Sequence, residues 1–414
     1  MQQVQTLKGF RDFLPKEKNI RNYVTKKIKE TFEIFGFEPI ETPTLEYASL
    51  LMGKYGDEAD KLIYSFEDQG GRKIALRYDQ TVPTSRVLSQ YQNELPKFFR
   101  RYQIQNVFRA DKPQKGRFRE FTQCDCDIFE SDSTVVDAEL LAVYYFVYQN
   151  LGLKSIKLFI NDRTTLMNTI SPFANDEVNV FSIIQSIDKL DKLSEKQVVD
   201  ELIGKGLYEK DARDVLREIT SATMSASLKE TVERAVELGV DQDALVFTPT
   251  LARGLDYYTG IIFEGKVPEY SGGSVGGGGR YDRLIGELCG RDIKANGFAI
   301  GFDRTVEAVV ELGLVPQTAT VSSQVLVTVF DENLIKNSLN AAKTLRANNI
   351  RTEVYPEVDQ IGKQFKLANQ KNIPYVVVIG DAEVSENKVQ LKNMASGEQE
   401  LLTLEEVVKK IKQI

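Results

Sequence analysis

The strand pattern of this 414-residue chain is interrupted once and then resumes. Apolar-rich stretches at 98–109 and 121–129, separated by a basic loop, predict the antiparallel strands of a meander. Residues 165–243 are instead polar, helical in periodicity and rich in Lys, Asp and Glu, and strands resume at 245–249 and 257–265. We interpret the middle segment as a helical domain inserted into a domain that is built around an antiparallel sheet.

The last quarter of the chain follows a different pattern. Beyond a linker at 315–321, strand-like runs alternate with amphipathic helical runs. This alternation predicts a compact α/β domain over 322–414 with a mainly parallel sheet. The sequence therefore predicts an α+β protein, in which 1–164 and 244–314 form the sheet-containing domain and 165–243 form the helical insertion.

A glycine-dense stretch at 272–279 is predicted to be a bend, where the backbone comes close to a ligand. It is not a P-loop, because the chain contains no G-x-x-x-x-G-K-[ST] sequence, and no G-x-G-x-x-G opens a helix after a strand. By itself, the stretch does not identify a site.

The chain contains no histidine, which restricts its chemistry. Hydrolases that depend on an imidazole base, and metal sites ligated by histidine, are excluded. The three cysteines form no CxxC pair, so neither a disulfide framework nor a zinc site is indicated, and no metal-binding residue is assigned. The chemistry must depend on arginines, carboxylates, hydroxyls and the backbone, which favours stabilisation of charge over transfer of protons.

The sequence lacks signals for a membrane or for export. No run of about 18 apolar residues is present, so a membrane span is not expected. The N-terminal residues resemble neither a signal peptide nor an Arg-rich transit sequence. We therefore expect a cytoplasmic protein that binds no membrane.

The net charge of -7 does not by itself indicate nucleic-acid binding, but some of the cations are clustered. The segment 109–119 holds five of them, in a loop between two predicted strands. A basic hairpin loop suits a polyphosphate, because arginine can bridge phosphate oxygens with two hydrogen bonds. Phe121, just beyond the loop, is placed to stack on a base. The alternative interpretation of the loop is a solvated, charged turn.

Several segments together resemble a known class of enzymes. Phe108-Arg109-x-Asp111 with Arg117-x-x-x-Phe121 is similar to motif 2 of class II aminoacyl-tRNA synthetases, and 297–304 is similar to motif 3. The segment 36–43 resembles motif 1, which in that class forms part of the dimer interface.

Two further segments narrow the resemblance to one family. The sequences at 251–260 and 276–282 resemble the two signatures peculiar to histidyl-tRNA synthetases, and 7–15 is similar to the N-terminal segment of that family. The resemblance covers nearly the whole chain. It implies a catalytic domain with the antiparallel sheet of class II synthetases, a helical insertion and a C-terminal α/β domain that binds the anticodon.

The resemblance also implies an activity. Members of the family activate L-histidine with ATP, which carries Mg²⁺ on its phosphates, and transfer the histidyl group from the adenylate to the 3' end of tRNA(His). The expected partners are therefore L-histidine, tRNA(His) and a second copy of the chain in a homodimer.

At the ATP site, the resemblance implies two catalytic arginines. Arg109 contacts the α-phosphate and the substrate carboxylate, and Arg253 lies beside the α-phosphate, where other class II enzymes use a metal ion. In-line displacement at phosphorus needs fixed positive charge rather than a proton acceptor, so the lack of histidine is no obstacle. The other implied ATP contacts are Arg117 and Arg304 to the β- and γ-phosphates, Asp111 on the adenine side and Phe121 on the ring.

The histidine pocket is implied in the same way. A buried carboxylate can accept a hydrogen bond from one ring N–H of the substrate, while a Tyr or Gln side chain serves the other ring nitrogen. Asp79-Gln80-Thr81 stands where bacterial members of the family commonly have Glu-Gly-Thr, and Asp127 stands in place of their Glu. The implied histidine-binding residues are Asp79, Gln80, Thr81, Arg109, Gln123, Asp127, Arg253, Tyr257, Tyr258 and Tyr281.

Two other functions are considered. A non-catalytic paralogue, the regulatory subunit of ATP phosphoribosyltransferase, uses the same fold, but that group typically lacks the C-terminal domain and the intact signature at 251–260. A class II synthetase for another amino acid would also lack this signature. Both are disfavoured by the segments that are present.

Overall fold

The computed structural model describes residues 4–52, 61–112, 118–252 and 258–413. The chain divides into two compact units. One comprises Val24–Leu314 with the residues that precede Phe13, and the other comprises Phe13–Tyr23 with the residues from Val315 onward. Helix α1 (Pro15–Ile34) contributes residues to both.

The elements of the first unit alternate between groups of strands and groups of helices. Its described strands are β1 (Glu38–Pro39), β2 (Leu45–Tyr47), β3 (Ser65–Glu67), β4 (Lys73–Leu76), β5 (Arg100–Phe108), β6 (Glu120–Phe129), β7 (Lys157–Asp162), β8 (Leu245–Phe247), β9 (Ile261–Lys266), β10 (Ser274–Arg280) and β11 (Ala295–Ile300). Its described helices after α1 are α2 (Ala48–Leu51), α3 (Thr81–Gln90), α4 (Thr134–Asn150), α5 (Arg163–Ile170), α6 (Val180–Ile187), α7 (Glu195–Gly204), α8 (Glu209–Thr220), α9 (Ala226–Glu237), α10 (Leu284–Cys289) and α11 (Phe302–Glu311).

Eight of these strands form one large sheet in the order β1-β5-β6-β11-β10-β9-β7-β8. Every pairing from β5 through to β7 is antiparallel, and only the edge strands β1 and β8 pair in parallel. Strands from before and after the helical segment are neighbours, since β11 lies beside β6 and β9 beside β7. The predicted antiparallel sheet with a helical interruption is therefore confirmed. A smaller antiparallel sheet has the order β2-β4-β3.

One face of the large sheet is apolar and is covered by α1 and α4. The rings of Phe32 in α1 and Phe298 in β11 lie 6.0 Å apart. Tyr144 in α4 is 5.1 Å from Phe298 and 5.2 Å from Phe263 in β9. Tyr148 donates a hydrogen bond of 2.9 Å to the Val275 carbonyl. These rings are buried, and the burial of aromatic area is a large stabilising contribution. This face is filled, so a ligand site in the sheet must use the other face.

The glycine-dense stretch is a central strand, β10, and the prediction of a bend is wrong. Glycine has a low strand propensity, so its composition favours a loop. The reason for glycine lies in the close approach of neighbouring strands. A Cβ atom added at Gly278 would lie 2.2 Å from the Gly297 carbonyl oxygen and 2.5 Å from the Phe298 Cα. The helix that follows this strand, α10, begins at Leu284.

The helical segment between β7 and β8 packs around its own apolar core. Ile183, Leu202 and Ile219 of this core are fully buried, and the core continues to Leu251 and to Ile262 of β9. Helix α9, the last of the segment, packs against α4 instead. Among the helices that the structure describes, none has the length and apolarity needed to cross a membrane.

The second unit is an α/β structure with a five-stranded sheet in the order β13-β12-β14-β15-β16. The pairings of β13, β12 and β14 are parallel, whereas β14, β15 and β16 form an antiparallel meander. The sheet is therefore mixed, and the prediction of a mainly parallel one is wrong. The sequence of β15 and β16 is largely polar, so it gives no clear signal for a hairpin after β14. The elements are α12 (Gln317–Thr320), β12 (Val325–Val327), α13 (Ile335–Ala347), β13 (Thr352–Val354), α14 (Ile361–Gln370), β14 (Tyr375–Val378), α15 (Asp381–Ser385), β15 (Val389–Asn393), β16 (Gln399–Leu402) and α16 (Leu404–Lys412).

Candidate active site

The second face of the large sheet is lined by polar side chains that are buried. Residues of one face alternate along a strand, so Arg101 and Gln103 of β5 share this face with Asp125 and Asp127 of β6. The register pairs Arg101 with Asp127 and Gln103 with Asp125. All four residues are at most 4% exposed. Burial of charged groups is costly, so such a face is a candidate ligand site. We call these four residues, together with Gln123, the polar face.

A buried ion pair forms one end of the polar face. The guanidinium of Arg101 lies 2.6 Å from Asp127 Oδ2, and the hydroxyl of Tyr281, just after β10, donates to Asp127 Oδ1. Burial raises the pKa of Asp127, while the charge of Arg101 and the hydrogen bond from Tyr281 act against this increase. The Asp127 carboxylate lies across Gly297 of β11, where an added Cβ would be 1.8 Å from Oδ1. The structure thus brings together Asp127 and Tyr281, which were both predicted to bind histidine.

Arg101 was not predicted. Its neighbours along β5, Gln103 and Gln105, gave the only signal in the sequence, a polar residue at every second position. That alternation alone does not show which face of the strand is covered.

The polar face has more buried hydrogen-bond acceptors than donors. Gln80 precedes α3, and its Nε2 donates to the main-chain oxygens of Gln105 and Gln123, each at 3.1 Å. Four buried oxygens at the polar face form no hydrogen bond within the described part of the chain: Gln80 Oε1, Gln123 Oε1, Asp125 Oδ1 and Asp127 Oδ2. The last of these is held in the ion pair with Arg101, whose Nε is the one donor of the polar face without an acceptor among the described residues. An unsatisfied buried acceptor costs about 1–3 kcal/mol. The arrangement therefore suits a ligand that supplies donors.

Electrostatics places further predicted residues near the polar face. Burial raises the pKa of Asp125 to about 8, and the charges of Asp127 and Asp79 act in the same direction. The charges of Arg101 and Arg109 act in the opposite direction. Asp79 is itself buried, and its Oδ1 accepts a hydrogen bond of 3.1 Å from the Val82 backbone in α3.

Arg109 follows β5 and is held by aromatic rings. Its guanidinium carbon lies 4.3 Å from the centre of the Tyr78 ring and 5.1 Å from that of Phe121. Its Nε donates to the Tyr78 carbonyl at 3.2 Å. A guanidinium that is fixed in this way keeps its planar charge in a defined orientation, which suits a phosphate or a carboxylate.

The N-terminal segment contacts both the last residues of the basic loop and the start of α11. The Arg11 guanidinium lies 3.3 Å from the centre of the Phe118 ring and 3.1 Å from Asp303 Oδ1. The Arg119 backbone N–H donates to the Gly9 carbonyl at 2.8 Å. Sequence reasoning recognised 7–15 by resemblance but gave it no role. Next to Asp303, the exposed Arg304 donates to the Ser274 carbonyl at 2.9 Å.

The other predicted residues have varied surroundings. Thr81 is the first residue of α3. Tyr258 is half-buried and packs against the core of the helical segment and against the cluster that contains Tyr281. The Asp111 carbonyl accepts a hydrogen bond of 3.1 Å from Arg119 Nε. The predictions for Arg117, Arg253 and Tyr257 lie outside the described residues.

An antiparallel sheet with one apolar face under helices, and a second face with buried carboxylates and a fixed arginine, is the architecture expected of the catalytic core of a class II aminoacyl-tRNA synthetase. Comparisons with known proteins specify the family. The family profile described as histidyl-tRNA synthetase matches residues 9–305, and the one described as anticodon binding domain matches 324–414.

Individual relatives cover nearly the whole chain. A histidine--tRNA ligase of Christiangramia forsetii is 40% identical and the match covers 95% of both chains. The crystal structure of histidyl-tRNA synthetase from Nostoc sp. PCC 7120 superposes with a TM-score of 0.89 at 28% identity, over 99% of both chains. An ATP phosphoribosyltransferase regulatory subunit/histidyl-tRNA synthetase from Bacillus halodurans shares the fold at a TM-score of 0.72 and 20% identity, over 88% of this chain and 96% of that one.

The chain belongs to the histidyl-tRNA synthetase family. Membership rests on the profile over 9–305 and on relatives that match along almost the full length.

Proposed function

We propose that the polar face is where this chain activates L-histidine with ATP, before the histidyl group is transferred to the 3' end of tRNA(His). The activity is that of an aminoacyl-tRNA ligase, which its family membership supports over the regulatory-subunit alternative. The observation that supports this location best is the excess of buried acceptors, because histidine brings an ammonium group and a ring N–H.

Histidine is proposed to lie with its ring towards Asp127 and Tyr281. Asp127 accepts from a ring N–H, and the charge of Arg101 opposes the increase in the pKa of Asp127 that burial causes. A pocket that hydrogen-bonds its substrate in this way rejects amino acids without those groups by roughly 10⁴–10⁵-fold. The other proposed contacts to histidine are Asp79, Gln80, Thr81, Arg109, Gln123, Arg253, Tyr257 and Tyr258.

ATP is proposed to bind beside histidine, with Mg²⁺ carried on its phosphates. Arg109 and Arg253 stabilise charge on the α-phosphate while the histidine carboxylate attacks it in line and pyrophosphate leaves. The contacts of Arg11 with Phe118 and Asp303 support a fixed geometry on both sides of the nucleotide. The other proposed ATP contacts are Asp111, Arg117, Phe121 and Arg304.

The rest of the chain is proposed to bind tRNA and a second copy. We propose the boundaries 1–164 with 244–314 for the catalytic domain, 165–243 for the insertion, 315–321 for a linker and 322–414 for the domain that binds the anticodon. We also propose that the protein works in the cytoplasm.

A homodimer is proposed to use the surface of the small sheet near the motif 1 segment. Leu45, Tyr47 and Phe66 are 42%, 59% and 49% exposed, and they flank the paired residues of β4. Exposed apolar residues on one sheet face are typical of an interaction surface. Light scattering after size exclusion is expected to give a dimer for the wild type and a monomer for Tyr47→Glu. Tyr208→Glu, at another exposed tyrosine, is the control and is expected to remain a dimer.

The catalytic proposal is tested by ATP–pyrophosphate exchange without tRNA, using each of the twenty amino acids in turn. Exchange that depends on histidine and on Mg²⁺, with little response to the other nineteen, is expected. A folded protein that binds histidine but exchanges no pyrophosphate would contradict the enzymatic function and support the regulatory one.

A further inference from the structure

Asp125 is a buried carboxyl at the centre of the polar face that the mechanism above does not use. It lies on β6 between Gln123 and Asp127, which were both predicted to bind histidine, and it is 4% exposed. Its register partners are Gln103 on β5 and Ala299 on β11. Because Ala299 has only a methyl group, that partner leaves room above the sheet on the β11 side of the carboxyl.

The cations near Asp125 are committed elsewhere. Arg101 forms its ion pair with Asp127, and Arg109 is stacked on Tyr78. Asp125 Oδ1 has no hydrogen-bond donor in the described part of the chain. The charged and titratable groups that face or flank it are Arg101, Arg109, Asp79, Asp127, Tyr281, Cys124 and Cys126.

We propose that Asp125 accepts a charge-assisted hydrogen bond from the α-ammonium group of histidine, and that Gln80 Oε1 and Gln123 Oε1 accept its other two N–H groups. An ammonium group has three donors and no acceptor, which matches the three unsatisfied oxygens of the face that lie outside the Arg101–Asp127 ion pair. The ammonium also brings a positive charge to a carboxyl whose neighbouring arginines are paired or stacked with other residues. The proposal rests on the function proposed above and adds a residue that determines specificity.

The pKa of Asp125 gives further support. Because burial raises the pKa of Asp125 to about 8, the carboxyl holds a proton at neutral pH when no ligand is bound. Binding of the ammonium favours the carboxylate, so the proton leaves Asp125 for the buffer as histidine enters.

The first test compares histidine with 3-(imidazol-4-yl)propionate, which is histidine without its α-ammonium. Calorimetry in the absence of ATP is expected to show that Asp125→Asn weakens histidine binding about 10- to 100-fold and changes binding of the propionate less than about 2-fold. Asp132→Asn, the same change at an exposed position just after β6, is the control and is expected to change neither. An equal effect of Asp125→Asn on both ligands, or no effect on either, would overturn the proposal.

The second test needs no variant, so it does not depend on the folding of one. Calorimetry at pH 7 in buffers of different ionisation enthalpy, corrected for the separately measured ionisation of each ligand's own imidazole ring, is expected to show release of about one proton per histidine bound and almost none with the propionate. Equal release with the two ligands would overturn the role of Asp125. If the wild type binds no histidine at all, the proposed function fails instead, and exchange of pyrophosphate would be absent as well.

Discussion

At the scale of single residues, the structure buries charged side chains at the proposed site, and their burial has a cost in stability. Arg101 is 1% exposed and forms an ion pair of 2.6 Å with Asp127. Removal of one partner from a buried ion pair leaves the other uncompensated, which costs about 3–5 kcal/mol. The polar face therefore depends on this pair for its integrity as well as for its shape.

Arg101→Met is expected to lower the free energy of unfolding by about 3–5 kcal/mol, as measured by urea denaturation. The preceding residue offers a matched control. Arg100 forms an ion pair of 2.6 Å with Glu139, but its side chain is 32% exposed, so Arg100→Met is expected to cost about 1 kcal/mol or less. Equal losses in the free energy of unfolding would show that the buried Arg101–Asp127 pair is no more important for stability than the exposed Arg100–Glu139 pair.

The titration of Asp125 should be visible in the pH dependence of the free energy of unfolding. Its pKa is raised to about 8 in the folded chain from an ordinary 3.8, so between these values the folded state holds a proton that the unfolded state has lost. Stability is fully present below pH 3.8 and falls as pH rises, with a limiting slope of about 1.4 kcal/mol per pH unit. Asp125→Asn removes this loss. We expect the variant to match the wild type near pH 4 and to be more stable at pH 8, in urea denaturation at each pH. Parallel curves would contradict this assignment.

The sequence could predict some site residues better than others. Arg109, Asp127 and Tyr281 lie in motifs of the family and could be named from the sequence. Arg101 and Asp125 could not, because their importance depends on the pairing of β5 with β6 and on which face of that pair the helices cover. A polar residue at every second position determines neither the strand pairing nor the face that the helices cover.

At the scale of elements, the glycines of the central strands are determined by neighbours that lie far away in the sequence. Composition favours a loop at β10, whereas the approach of β11 requires a strand without side chains. The antiparallel meander of β5 and β6 could be predicted, because local apolar runs and a loop between them define a hairpin. The change in the sheet of the second unit, from parallel pairing of β12 with β14 to antiparallel pairing of β14 with β15, could not be predicted.

Gly297→Ala tests the fit between two strands. Its Cβ would lie 1.8 Å from Asp127 Oδ1, so the carboxylate must move away from Arg101 and Tyr281. We expect a loss of about 1–3 kcal/mol of stability and at least about 10-fold weaker histidine binding. Urea denaturation and calorimetry measure the two effects.

The control for that variant is Gly362→Ala. Gly362 lies in α14, its added Cβ meets nothing within 4 Å, and alanine is expected to stabilise this helix by up to about 1 kcal/mol without changing histidine binding. A Gly297→Ala variant that binds histidine as tightly as the wild type would show that the position of Asp127 is unimportant.

At the scale of the whole molecule, the absence of histidine has a consequence for synthesis. A histidine-charging enzyme that contains none can be translated when its own product is scarce. In a histidine auxotroph under starvation, pulse labelling is expected to show continued synthesis of this chain. The same chain with a C-terminal tag of six histidines is the control and is expected to fall. A parallel decrease of both would refute the hypothesis.

The absence of histidine side chains also has a consequence for magnetic resonance studies of the polar face. Since no side chain of the enzyme carries an imidazole, the ring protons of bound histidine have no counterpart in the protein. In a proton spectrum recorded in D₂O after exchange of the amide protons, the C2 proton of the substrate ring lies downfield of the Phe and Tyr ring protons and can be followed through its titration. The pocket proposed to bind the imidazole can thus be studied through the signals of its ligand.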